Sequence, residues 1–571
     1  MSHLKSKLVP MAISAFIVII SYFIITAIVE SWIKRLLFLI LVLDVVIAIN
    51  IFYGFGIRSI LLCISERKKY IITLIIIELC CLWMCIYKHL TINNNPIYLH
   101  FQYLIYFMIM SVIFWFFVFR FGIGIKYWKL YPILGLTFGI VFMLAIPIYV
   151  VPDEPVHLMT AYKVSNQILH TDMTKGDYLY GRAEDMELPI AATGYNLEQY
   201  SNYLAQLNAP LHKSSKYKLS GTYYLHTPQY QYYLSGLGIT IGRLLQFGTI
   251  KTFLLGRLFN LLFFVSIITL AIFKTPKGKL IMMVLALTPI SIQQGMSYSY
   301  DAIIMPLCFL IAALSLKLYE QDCHKLDYFI LMGATILLIP TKQFVYLPYA
   351  LIPWLYLLIK RFSFKSLIIT TCIIAVVGII SYCSINQNLF PLALDKLLGN
   401  RSYIKWANQY SYSILSLIKD PILALKVLAG TVYNKLDFYV SSLIGKDLGW
   451  FEINLPIIYP AFISLITLSV IFDKNEKNNS NKFWLNAIIM LCITVVFMFA
   501  GMLLFWTPVT YLYVEGVQGR YLITVLPLLL IFVSDKIKLK IIGNQLKSKL
   551  VILLLVLLTI STDGIMVFMN H

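Results

Sequence analysis

The chain reads as a succession of apolar runs separated by short polar connectors. Runs fall near residues 8–29, 36–56, 71–87, 99–119 and 130–151. Others lie near 251–273, 280–296, 301–317, 327–341, 343–359, 366–384, 457–472, 483–506, 521–535 and 550–569. Most approach the ~20 residues a helix needs to cross a bilayer. Several are shorter, so the pattern predicts roughly thirteen to fifteen spans. The expected fold is an all-α polytopic membrane protein. It divides into a block of about four helices at 1–129, a membrane core at 130–535, and a basic loop with a last helix at 536–571. The opening MSHLKSK and the run Leu8–Val29 resemble a signal peptide, but no small-residue cleavage site follows, so a retained first helix is expected.

Composition agrees, with 60% apolar and 13% charged residues, against ~45–50% and ~25% in soluble domains. The net charge of +20 would suit nucleic acid, but it is dispersed. Lys5/Lys7, Arg67–Lys69, Lys126/Lys129, Lys274/Lys277/Lys279, Lys360/Arg361/Lys365, Lys474/Lys477 and Lys536–Lys549 all fall on one side of the expected spans. That side is the cytoplasm by the positive-inside bias, with Lys34/Arg35 as the exception. No basic stripe interleaved with aromatics points to nucleic acid. Nine scattered cysteines form neither a disulfide framework nor a zinc pattern. The same topology places 152–250, 385–456 and 507–520 outside, and with them most of the polar sequence that is more than a connector.

The most chemical stretch is IYVVPDEPVHLMTAY, residues 148–162, where an apolar run ends in two prolines, two carboxylates and a histidine. Pro155 suits the first turn of a helix, which puts Asp153 or Glu154 at or beside its N-cap. Leu158, Ala161, Tyr162, Ser165, Ile168 and Leu169 then share a face suited to the membrane surface. An ionised carboxylate at the membrane mouth can act as a general base, with His157 one turn away to orient it or share a proton. A plain helix cap is the simpler reading of Asp153. A second surface helix is expected from HTPQYQYYLSGLGITIGRLL, with Thr227 as cap and Tyr230, Tyr233, Leu234, Leu237, Ile241 and Leu244 on one face. The tyrosine-rich sequence between the two helices suits either sugar stacking or interfacial anchoring.

Arg257, Lys342 and Arg520 sit toward the expected exoplasmic ends of their runs, with Asn260 one turn from Arg257. A charge in lipid normally faces a cavity or a partner, and three cations near one level suit a phosphate; snorkelling is the alternative. Asp44 and Glu78 lie inside N-terminal runs and suggest an inter-helix pair or a helper role. Asp301 is expected to cap its helix or to support the site. His226, Glu515 and Gln518 are further candidates for supporting roles.

Several motifs in order, PDEPxH, PxYxYYLxxLGxxxGRLL, GRLFNLL, SYSYDA, TKQFVYLP, GWFEINLP and GVQGRYLITVLP, resemble the bacterial membrane-protein family called domain of unknown function 2142. That family is related to the C-type (GT-C) glycosyltransferases, which include protein O-mannosyltransferases and lipid A aminoarabinose transferases. The resemblance covers about residues 130–535. It implies a GT-C-like transmembrane helix bundle in the bacterial plasma membrane. That bundle takes a sugar from a polyprenyl-phosphate carrier and passes it to a cell-envelope glycan or glycolipid on the outer face. It maps the base onto Asp153, with Glu154 beside it, and the phosphate-holding cation onto Arg257, Lys342 or Arg520. Where the family favours Asp in the GWFEINLP segment this chain carries Glu452. A divalent metal could assist, although no ligand cluster demands one. The alternatives are a polymerase or ligase using a pyrophosphate-linked donor, and a flippase for lipid-linked sugars.

Overall fold

The computed structural model describes residues 126–188, 199–200, 216–360 apart from 228 and 322, 401–455, 458–472 and 481–536, with isolated positions elsewhere. The chain divides into two compact units, and nearly all described residues belong to the one formed by Tyr127–Tyr200 and His212–His571. The expected spans 8–29, 36–56, 71–87, 99–119 and 366–384, with Asp44, Glu78 and Lys34/Arg35, lie outside the described residues.

The protein is a helical membrane protein. Its main helices are α1 (Tyr127–Ala145), α2 (Glu154–Ile168), α3 (Tyr233–Leu244), α4 (Thr249–Lys274), α5 (Lys279–Ala286), α6 (Pro289–Met296), α7 (Asp301–Glu320), α8 (Lys325–Leu338), α9 (Leu347–Lys360), α10 (Pro421–Ile444), α11 (Ile458–Phe472), α12 (Asn481–Phe505) and α13 (Leu526–Lys536). Among the described residues, four of these are long and apolar enough to cross a membrane: α1, α4, α7 and α12. Helices α4 and α7 are central, packed on each other, and α4 also packs on α1 and α3. Helix α12 instead leaves Leu485, Ile489, Val496 and Phe497 exposed, as a lipid-facing helix does.

The run 280–296, expected as one span, is two short helices bent by 66°. Pro289 removes a helical N–H and clashes with the preceding turn. The freed carbonyl of Leu285 accepts from the hydroxyls of Ser291 (2.7 Å) and Thr288 (3.0 Å). Broken backbone of this kind is tolerated in a membrane where the protein itself covers it, and every residue of both half-helices except Lys279 is buried.

The segment 152–250 holds more than two surface helices. Helix α2 is not spread on the membrane. It is buried on nearly every side and packs on α3. Between them runs a three-stranded antiparallel sheet, β1 (Thr174–Lys175), β2 (Tyr178–Arg182) and β3 (Tyr217–Leu219), with Tyr180 opposite Leu219. Its strands are too short for period-two alternation to mark them in the sequence. The regular part of α3 begins at Tyr233, after a 3-10 turn at Gln229–Tyr232, so Thr227 is not its cap. Tyr233, Leu237 and Leu244 stay exposed, on the expected apolar face. The opposite face is small: a Cβ on Gly238 would stand 2.5 Å from the Leu255 carbonyl oxygen of α4.

Candidate functional site

The PDEP segment supplies two carboxylates with opposite fates. Pro147 closes α1, Tyr149 takes a positive φ of 78°, and the chain turns back so that α2 starts at Glu154. Glu154 is 0% exposed. Its Oε1 accepts from Arg257 Nε (2.9 Å) and the Tyr298 N–H (3.2 Å). Its Oε2 accepts from Arg257 Nη2 (2.5 Å) and the Tyr149 N–H (2.9 Å). The remaining Arg257 donors reach the carbonyls of Ile146 (2.6 Å), Pro147 (2.8 Å) and Met143 (3.4 Å). A guanidinium has five N–H groups, and all five are engaged. Arg257 therefore has no donor left for a phosphate, and Glu154 has no lone pair facing solvent. Both were expected in the chemistry; both instead lock the loop onto α4. Asn260, one turn on, donates to the Ser297 carbonyl (2.8 Å) and ties α4 to the SYSYDA turn.

Asp153 is the other carboxylate. It occupies the N-cap position with φ 63°, but its side chain makes no capping hydrogen bond, so the cap role is not what it performs. The side chain is 50% exposed, with Oδ2 at 3.6 Å from Arg520 Nη2. A left-handed backbone is uncommon for a non-glycine residue, and such strain gathers at functional sites. Lys342, Gln343 and Phe344 add three consecutive positive φ values, 44°, 55° and 69°, in the turn between α8 and α9.

That turn brings Lys342 Nζ to 2.7 Å from Asp301 Oδ1 and to 3.8 Å from the centre of the Tyr521 ring. Asp301 Oδ2 stands 3.6 Å from Arg520 Nε. Asp301 is thus the shared anion between two cations and not a helix cap; Tyr300 occupies the cap position. Arg520 is placed by a close approach. Gly519 lies so near α10 that a Cβ would stand 2.1 Å from the Tyr439 carbonyl oxygen, and its N–H donates to Ser442 Oγ (2.9 Å). Of the expected residues, the fold therefore gathers Asp153, Asp301, Lys342 and Arg520.

His157 does not orient Asp153. Its Nδ1 shares a 2.7 Å hydrogen bond with the Tyr232 hydroxyl, and its ring meets the edge of Tyr300 at 4.7 Å. Burial pushes its pKa down to about 3; Asp301 opposes the shift, and Arg520 and Lys342 add to it. The imidazole is neutral at physiological pH.

A shallow hollow beside Arg520 is lined also by Pro152, Gln293, Asp447, Phe451 and Gln518. The hairpin carrying Asp447 pairs Leu448 with Ile453. It is pinned by Gly449 N–H to Gln293 Oε1 (2.8 Å) and by Trp450 Nε1 to the Tyr149 carbonyl (3.1 Å). Burial lifts the Asp447 carboxyl above the ordinary carboxylate range; Lys446 opposes this and Asp437 adds to it. Glu452 sits in the hairpin's turn, beside Phe451. Sequence reasoning missed Asp447 and Gln293. The GWFEINLP motif lies two residues beyond the first, and nothing marked the second. Glu515 pairs with Lys435 (2.8 Å), and His226 with Asp177 (2.9 Å) on an exposed surface; neither lines the hollow, whereas Gln518 does. Among the described residues, no group of three His, Cys, Asp or Glu side chains is placed to hold a metal ion.

Residues 136–529 match the family model described as a predicted membrane protein, DUF2142. The chain therefore belongs to that family. No curated protein and no solved structure matches it.

Proposed function

We propose that this DUF2142 membrane protein is a GT-C-type glycosyltransferase that works at the exoplasmic face. It takes a sugar from a polyprenyl-phosphate donor and passes it to a cell-envelope glycan or glycolipid. The observation that carries the reading is Asp153. This half-exposed carboxylate is free of any capping duty and sits 3.6 Å from a buried Arg520, which shares Asp301 with Lys342. The Asp153 carboxylate takes the proton of the acceptor hydroxyl as that oxygen bonds to the anomeric carbon. The bond from the anomeric carbon to the phosphate oxygen breaks on the opposite face, and the phosphate departs with the bonding pair. Arg520 and Lys342 stabilise its charge, and one displacement inverts the anomeric centre. Asp301 holds the two cations in register while the donor is absent.

A transporter needs access from both ends. The far end of α7, about 30 Å from Asp301 at 1.5 Å per residue, is stitched by Lys317 and Lys274 on Asp327 and by Lys277 on Glu320 and Asp535. This supports one-sided chemistry over passage.

The test uses purified protein in nanodiscs with a polyprenyl-phosphate-linked sugar and envelope acceptor. Release of polyprenyl phosphate with product glycan is expected. Asp153→Asn should lower the rate about 100-fold or more, the usual reach of a general base, with an unchanged melting temperature. Full activity in that variant sinks the assignment. Movement of the donor without turnover makes the protein a flippase, and turnover of a pyrophosphate-linked donor alone makes it a polymerase or ligase.

A further inference from the structure

We infer that Gln293, presented by the broken helix pair α5–α6, is a ligand for a phosphoryl oxygen in the hollow beside Arg520. The inference rests on the transferase reading only for the identity of the phosphate as a donor's headgroup. The bend at Pro289 turns α6 inward and carries two adjacent glutamines into the interior, Gln293 at 1% and Gln294 at 0% exposure. The amide of Gln293 has a defined orientation, because its Oε1 accepts the Gly449 N–H at 2.8 Å. Its Nε2 therefore carries two N–H groups elsewhere, and that nitrogen is buried without a hydrogen-bond partner. Gln294 repeats the arrangement, with Oε1 at 3.5 Å from Arg520 Nη1 and Nε2 unpartnered.

Arg520 Nε and Asp301 Oδ2 face each other at 3.6 Å without a hydrogen bond, and Gln518 Oε1 is buried without a donor. Donors outnumber acceptors, counting two N–H groups per amide nitrogen. Buried polar groups are normally satisfied, so the missing partner is rich in acceptor oxygens and carries negative charge. A sugar hydroxyl is a poorer match, because it brings a donor of its own. A phosphoryl group brings several oxygens and no obligatory donor. Asp447 lines the hollow too.

Binding of a fluorescent short-chain polyprenyl phosphate to the full chain in neutral-lipid nanodiscs tests this, with inorganic phosphate as a second arm. Gln293→Glu keeps an acceptor for the Gly449 N–H but offers no N–H. Gln293→Met removes the donors without adding charge. Both should weaken binding about tenfold or more, while Gly333→Ala, in open space on α8, binds as the parent does. Melting temperature identifies the Gln293 variants that fold, and binding is compared among those. Loss in both arms supports a site for the phosphoryl group itself, and loss confined to the lipid arm supports a lipid-borne headgroup. Either folded Gln293 variant binding like the parent overturns the inference and leaves the transferase reading standing. A parent that binds neither probe also overturns it. Binding that depends on Gln293 without any sugar transfer sinks the transferase reading and keeps the anion site.

Discussion

Replacing Arg257 by leucine removes five donors at once from a place no water reaches. The Glu154 carboxylate then keeps only the N–H groups of Tyr149 and Tyr298, and the carbonyls of Met143, Ile146 and Pro147 lose their donor. Stripping the partner from a buried ion pair costs about 3–5 kcal/mol. Each orphaned carbonyl adds on the order of 1 kcal/mol. A loss of about 5 kcal/mol or more is expected, a large share of the ~5–15 kcal/mol that holds a typical protein. Arg257→Lys should fare little better, since an ammonium has three donors and the site engages five. Combining Glu154→Leu with Arg257→Leu removes the stranded charge and should recover part of the loss, as such pairs do. Yield in the membrane fraction, melting temperature in detergent and monodispersity on size exclusion measure these effects. A single variant that melts like the parent yet transfers no sugar would refute the reasoning. It would return Glu154 or Arg257 to the chemistry from which their saturated hydrogen bonds exclude them.

His157 makes stability depend on pH. Its folded pKa of about 3 lies below the ordinary 6.5. The unfolded chain therefore takes up the proton first, and the contribution is whole above pH 6.5 and lost as pH falls toward 3. Between pH 6.5 and 4.5 the loss should be about 2–3 kcal/mol, read as a falling melting temperature that is flatter in His157→Gln; equal slopes would remove His157 as the cause. Gly238→Ala should cost about 1–3 kcal/mol by overpacking α3 on α4, because its Cβ meets backbone atoms of Leu255 and Gly256 at 2.5 and 2.8 Å. Gly333→Ala in α8, with nothing within 4 Å, should instead stabilise by roughly 0.5–1 kcal/mol. If the two variants melt alike, the close helix crossing is not as described.

The sequence alone determined that this chain lies in a membrane, because a backbone in lipid must satisfy its own hydrogen bonds and wear apolar side chains locally. It also pointed to Lys342 and Arg520 as charges that lipid forbids unless something faces them, to Asp301 at the start of an apolar run, and to Asp153 as a carboxylate where the chain leaves the lipid. What it could not decide was which partner each charge takes. Glu154 and Asp153 are neighbours with equal chemistry, yet one is sealed by an arginine 103 positions away and the other is left half open. Arg257 and Arg520 likewise look alike in their apolar runs, but only packing shows that the first has spent every donor on a loop. Gln293 carries no signal at all along the chain. It matters only because a proline breaks its helix and a distant glycine turns its amide. Apolarity is a property of each segment by itself, whereas pairing belongs to segments that only the folded bundle brings together.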